Sequence, residues 1–169
     1  MSKVKKEGYF ASIKRRDPAA RNALQILLFY PGIHVMFWYR IAHFFWKIHF
    51  RIIADCISYW SRHHTGIEIH PAATIGKRLF IDHGMATVIG ETAIIGDNVT
   101  IYHDVTLGGR GFAHGKRHPT VGNNVIIGTG AKILGNITIG DDAKIGANAM
   151  VLHDVEPNAV IYGIVGEKQ

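Results

Sequence analysis

From Gly66 onward the chain repeats with a period of six. An aliphatic residue recurs at Ile69, Ile75 and Ile81, then at Ile89, Ile95, Ile101 and Leu107, then at Val121, Ile127, Ile133, Ile139, Ile145 and Val151. Four residues after each, Leu107 apart, stands a second apolar residue: Ala73, Leu79, Met85, Ala93, Val99, Val105, Val125, Ala131, Ile137, Ala143, Ala149 and Val155. Glycine follows the first residue in eight of these hexads, from Gly76 to Gly146. A helix repeats its buried face every 3.6 residues and a half-buried strand every 2, so a sustained six is the mark of a parallel β-helix. The pattern predicts a left-handed triangular prism. Each hexad makes one flat side, with its first aliphatic residue pointing inward and its second apolar residue near a corner. Glycines and the pairs Asp97-Asn98, Asn123-Asn124 and Asp141-Asp142 suit turns that need positive φ. Thirteen hexads give about four coils.

The period slips twice. Ile81 and Ile89 are eight residues apart, and Leu107 and Val121 are fourteen apart, which predicts a bulge at His83-Gly84 and a loop over residues 109–120. A solenoid core is monotonous, so chemistry is expected where the repeat breaks. Both breaks carry histidine, in Asp82-His83 and Arg117-His118.

The first 65 residues differ in kind. They hold 11 Lys/Arg against 3 Asp/Glu and 13 of the 17 aromatic residues, whereas residues 66–169 hold 8 against 10 and 17 of the 19 glycines. The formal charge of +6 is therefore a basic front on a mildly acidic prism. We read three parts: a short helical region over 1–65, a β-helix domain over 66–155 and a tail over 156–169. Residues 1–14 read as a mobile tail or irregular helix, and the Lys/Arg-rich start (Lys3, Lys5, Lys6, Lys14, Arg15, Arg16) as solvated. Asp17 followed by Pro18 has the form of a helix N-cap. A second helix is expected from about Ile33 to Arg62, with a break near Ile48–Arg51.

Several function classes recede. The basic N-terminus is not followed by an apolar stretch of signal-peptide form, and Pro31-Gly32 interrupts the one long uncharged segment, so neither secretion nor a membrane span is expected. A single cysteine, Cys56, excludes an internal disulfide and any multi-cysteine zinc site, reads as structural, and fits a cytoplasmic setting. No nucleic-acid reader motif accompanies the basic start.

The stretches RDPAARNALQILLFYPGIH, TGIEIHPAATIG, IDHG, VTLGG, KRHP and GAKILGNITIG carry more than periodicity. Together they resemble the serine O-acetyltransferases of the hexapeptide-repeat acyltransferase superfamily, over about Asp17 to Val155. The resemblance implies transfer of acetyl from acetyl-CoA, as co-substrate rather than resident cofactor, to the hydroxyl of L-serine, the first step of cysteine biosynthesis. It implies His83 as general base, since an imidazole near neutral pKa suits removal of a hydroxyl proton. Glu68 is implied as the carboxylate that orients His83. Asp17 and Asp82 are implied around the substrate ammonium, and Arg117 and His118 around its carboxylate and hydroxyl. Gly108, Gly109, Thr129, Lys144 and Ala147 match the acetyl-CoA slot, and no metal is implied.

The family also implies a homotrimer with sites between subunits, and L-cysteine as feedback inhibitor. The short helical region favours a trimer over the hexamer of longer relatives. A terminal isoleucine docks into cysteine synthase (O-acetylserine sulfhydrylase) in long relatives, and the Gln169 ending argues against that partner here. The competing enzyme reading is a hexapeptide acyltransferase with another acceptor, such as a sugar or an antibiotic. A β-helix zinc hydratase would need three histidines across neighbouring coils, as His83, His103 and His118 could be imagined to supply.

Overall fold

The computed structural model describes residues 7–111 and 114–165. Lys3, Lys5, Lys6 and Gln169 lie outside the described residues. Among the described residues four helices precede the repeat: α1 (Tyr9–Arg16), α2 (Ala23–Phe29), α3 (Pro31–Lys47) and α4 (Arg51–Thr65).

From Tyr9 to Arg16 the chain is more regular than its composition suggests. α1 is a regular helix that buries Ser12 and Ile13. Arg16 is pinned rather than solvated. Its guanidinium donates to the Arg78 carbonyl at 2.7 Å, the Val99 carbonyl at 3.0 Å and Ser12 Oγ at 2.7 Å, and lies 5.3 Å from the Phe80 ring centroid. Burial holds its pKa down at about 10.

Asp17 does not cap a following helix. It terminates α1, its N–H donating to the Ile13 carbonyl at 2.8 Å. The N-cap of α2 is Asn22, whose side chain accepts from the Gln25 N–H at 2.8 Å. An Asn three residues before a Gln satisfies the helix N-terminus well enough that the Asp17 carboxylate is left for other partners. The expected break in the second helical stretch is present at Ile48–Phe50, with His49 at φ 67°. Gly66, in the left-handed region at φ 70°, ends α4 and turns the chain into the prism.

The prism has three parallel sheets. The first side stacks β1 (Glu68–Ile69), β4 (Val88–Ile89), β7 (Thr106–Gly108), β10 (Lys132–Leu134), β13 (Met150–Val151) and β15 (Ile164–Val165). The second side stacks β2 (Thr74–Ile75), β5 (Ile94–Ile95), β8 (Thr120–Val121) and β11 (Thr138–Ile139), extended by a bridge from Ile139 to Val155. The third stacks β3 (Phe80–Ile81), β6 (Thr100–Ile101), β9 (Ile126–Ile127), β12 (Lys144–Ile145) and β14 (Val160–Ile161). The strands therefore close five coils rather than four, because residues 160–165 return to the ladder.

The hexad residues fill the axis: Ile69, Ile81, Ile89, Ile95, Ile101, Leu107, Ile127, Ile133 and Ile139 are all buried. Met85 is the exception among the second apolar positions and is exposed. The glycines after the inward residues serve close approach, not positive φ. A Cβ on Gly96 would stand 2.7 Å from the Gly122 carbonyl oxygen, and one on Gly76 would stand 2.7 Å from that of Gly96. Positive φ falls instead on Asn98 (60°), Asn124 (58°) and Asp142 (62°).

The residue before each of these caps the coil above it. Asp97 Oδ1 accepts from the Lys77 N–H at 2.6 Å, Asn123 Oδ1 from Asp97 at 2.9 Å, and Asp141 Oδ1 from Asn123 at 2.6 Å. Helices and prism interlock through Tyr39, whose hydroxyl donates to the Ala73 carbonyl at 2.6 Å. Gly32 lets α3 lie against β3, since a Cβ there would stand 2.4 Å from the Ile81 carbonyl oxygen. Cys56 is an exposed free thiol, not a core residue. Among the described residues no helix is long and apolar enough to cross a membrane.

Candidate active site

The first break forms a tight turn on the edge between the third and first sides. His83 (φ 58°) and Gly84 (φ 73°) both take left-handed conformations there, and the His83 side chain is 75% exposed. Such a φ is uncommon for a non-glycine residue, and here it projects the imidazole off the prism. Asp82 Oδ1 stands 3.9 Å from His83 Nε2. Burial is the main cause that raises the Asp82 pKa, and the Asp17 carboxylate adds to it, while His83 opposes it.

The helices complete this corner. Asp17 accepts the Tyr30 hydroxyl proton through Oδ2, and the Ala19 N–H through Oδ1 at 2.8 Å. Burial, the bond to Asp17 and the Asp82 charge push the Tyr30 pKa up to about 12, so Tyr30 stays a proton donor at neutral pH. Asp17, Ala19, Phe29, Tyr30, Asp82 and His83 line a cavity of about 240 Å³. It holds two carboxylates, a phenol and an imidazole, a lining suited to a small cationic group that carries a hydroxyl.

Glu68 does not join them. Its Oε2 pairs with Arg62 Nη1 of α4 at 3.0 Å. A glutamate on β1 is long enough to reach back to the last turn of α4, where its Oε2 meets Arg62.

The second break builds a separate cluster on the edge between the first and second sides. His118 is buried, and its Nδ1 meets Thr92 Oγ1 at 2.8 Å and accepts from the Thr92 N–H at 3.1 Å. Its ring fills the space over Gly90, where a Cβ would lie 2.0 Å from His118 Cδ2. Burial chiefly, and the Arg117 charge after it, hold the His118 pKa below its ordinary value. Arg117 Nη2 donates to Glu91 Oε2 at 2.6 Å, a bond that lowers the Glu91 pKa. Glu91 and Thr92 were not expected from the sequence. No motif marks them, and they acquire a role only because the loop folds back over β4.

The residues expected to line the acetyl-CoA slot divide between the two edges. The pairings of β3 with β6, β6 with β9 and β9 with β12 place His83, His103, Thr129 and Ala147 one below another on the third–first edge. The Gly130 N–H donates to the His103 carbonyl at 3.0 Å, and the Asn148 N–H to that of Thr129 at 2.7 Å, which ties this column together. Gly108 and Gly109 lie at the end of β7, and a Cβ on Gly109 would meet Arg117 Cδ at 3.3 Å. Lys144 is exposed on the third side. Among the described residues no group of three or more His, Cys, Asp or Glu is placed to hold a metal ion.

Residues 118–153 match the family model described as bacterial transferase hexapeptide (six repeats). Fold, repeat and match define the class: a left-handed β-helix transferase built from hexapeptides. A serine acetyltransferase of Helicobacter pylori is 58% identical over 151 residues, which cover 89% of this chain and 88% of that one. This chain belongs to the serine acetyltransferase family. Two solved relatives, each 40% identical, superpose closely. The serine acetyltransferase of Neisseria gonorrhoeae in complex with serine gives a TM-score of 0.89 over 94% of this chain and 65% of that one. A serine acetyltransferase in complex with CoA gives 0.87 over 92% and 64%. The chain thus spans somewhat less than two thirds of the length of these solved relatives.

Proposed function

We propose that this chain acetylates the hydroxyl of L-serine with acetyl-CoA, and that His83 is the general base. The observation that carries the reading is the convergence of His83, Asp82 and Asp17 on one small cavity at a break in the repeat. The imidazole takes the hydroxyl proton as the serine oxygen attacks the thioester carbonyl. The C–S bond then breaks, and the proton passes from the imidazolium to the departing CoA sulfur. Asp17 and Asp82 hold the substrate ammonium, with Tyr30 fixing the Asp17 carboxylate.

Arg117 and His118 lie on a different edge of the prism, so in this reading they serve the cavity of a neighbouring protomer in a homotrimer. A guanidinium has five N–H donors, enough to keep Glu91 and still grip a substrate carboxylate. The acetyl-CoA chain runs down the edge column past Thr129 and Ala147, with Gly108, Gly109 and Lys144 as further contacts. L-cysteine, which differs from serine by sulfur for oxygen, fits the same cavity as an inhibitor. A cytoplasmic location agrees with the exposed thiol of Cys56. An orienting role for Glu68 would require its release from Arg62.

The test is thiol release from acetyl-CoA with L-serine as acceptor. His83→Ala is expected to lower turnover about a hundredfold or more with the oligomer intact. Retained turnover overturns the base, and preference for a sugar or antibiotic hydroxyl replaces serine as the acceptor.

A further inference from the structure

A general base works only if its ring is held in one orientation, because misplacement by a fraction of a bond length costs rate. Within one protomer the expected machinery gives the His83 ring no hydrogen bond. Its side chain is 75% exposed, and Asp82 at 3.9 Å is beyond hydrogen-bond range. Glu68 is engaged by Arg62 at 3.0 Å. Among the described residues no hydrogen bond reaches the His83 ring.

One side chain does touch it. The pairing of Ile81 with Ile101 sets His103 one coil below His83. The two rings stand with centroids 5.8 Å apart at 78°, an edge-to-face contact. Such contacts are directional, since the positive edge of one ring seeks the face of the other. The His103 backbone is tied to the next coil. Its carbonyl accepts from Gly130, and its Nδ1 is buried with no hydrogen-bond partner. The neighbouring Asp104 carboxylate is taken up by Lys132 Nζ at 2.7 Å. The repeat asks only for a corner residue at position 103, so the imidazole there is not explained by the fold.

We infer that His103 is a positioning residue, a ring shelf one coil below His83 that sets the orientation of the base. The inference rests on the assignment of His83 as base. The experiment compares wild type, His83→Ala, His103→Ala and His103→Phe as whole chains, measuring kcat, both KM values and the thermal midpoint. An active wild type with an inactive His83→Ala establishes the base, and an active His83→Ala sinks that assignment without reference to position 103.

Given the base, His103→Ala is expected to lower kcat about tenfold while both KM values stay within about twofold. His103→Phe, which restores a ring edge, is expected to recover most of that loss. The inference is overturned if His103→Ala keeps kcat within twofold of wild type, if its loss appears in KM, or if His103→Phe is no better than His103→Ala.

Discussion

His118 shows how much one small neighbour controls. Its ring occupies the space that a Cβ on Gly90 would need, only 2.0 Å from Cδ2. Gly90→Ala must therefore expel the imidazole or shift the loop. The expected result is a stability loss of about 1–3 kcal/mol in chemical denaturation, together with lost turnover. His118 also sets a pH dependence. Its folded pKa lies below the ordinary imidazole value of 6.5, as does that of His70, in both cases mainly through burial. The unfolded chain then binds more protons between the two values, so their contribution to stability is present above about pH 6.5 and is lost as pH falls through the folded values. The thermal midpoint is expected to fall from pH 7 to 5.5, with a shallower slope in His118→Asn. An unchanged slope in that variant would show that His118 is not the group responsible.

At the scale of elements, the strands of the prism are mostly two residues long and cannot be stable singly. Their register is held by inward aliphatic residues and by the side-chain ladder at one corner. Asp141 Oδ1 accepts from the Asn123 N–H, and Asn123 Oδ1 accepts from the Asp97 N–H. Removing the lower acceptor in Asp141→Ala is expected to cost about 1 kcal/mol, read as a lower denaturant midpoint with an unchanged slope. The hexad period made this architecture legible from sequence. The identity of the capping side chains was legible too, but their task was not: the first residue of each Asp/Asn pair accepts an amide from the adjacent coil, and only the second carries positive φ. The N-cap expectation for Asp17 fails for a related reason. Asp-Pro has the local form of an N-cap, and only the placement of Tyr30 shows where its carboxylate goes.

For the whole molecule, the two clusters on separate edges have a direct consequence. If a site takes His83 from one protomer and Arg117 from the next, His83→Ala and Arg117→Ala chains should complement each other. Random trimers from an equal mixture would hold about a quarter of sites with both residues native, and turnover should recover toward that fraction. Mixed chains that stay as inactive as either parent would place both residues in the same protomer's site. The outer faces of the helices leave Phe29, Phe37, Phe44 and Ile52 exposed.

The hexad period is enough to specify the prism, because each flat side needs one inward aliphatic residue every six, and to locate where the repeat fails. The sequence also supplied His83, Asp82, Arg117 and His118 as the side chains at those failures. Packing in three dimensions selects which groups meet. It puts Glu68 on Arg62, Glu91 on Arg117 and His103 beneath His83, because these contacts depend on reach between coils and helices that no local pattern records.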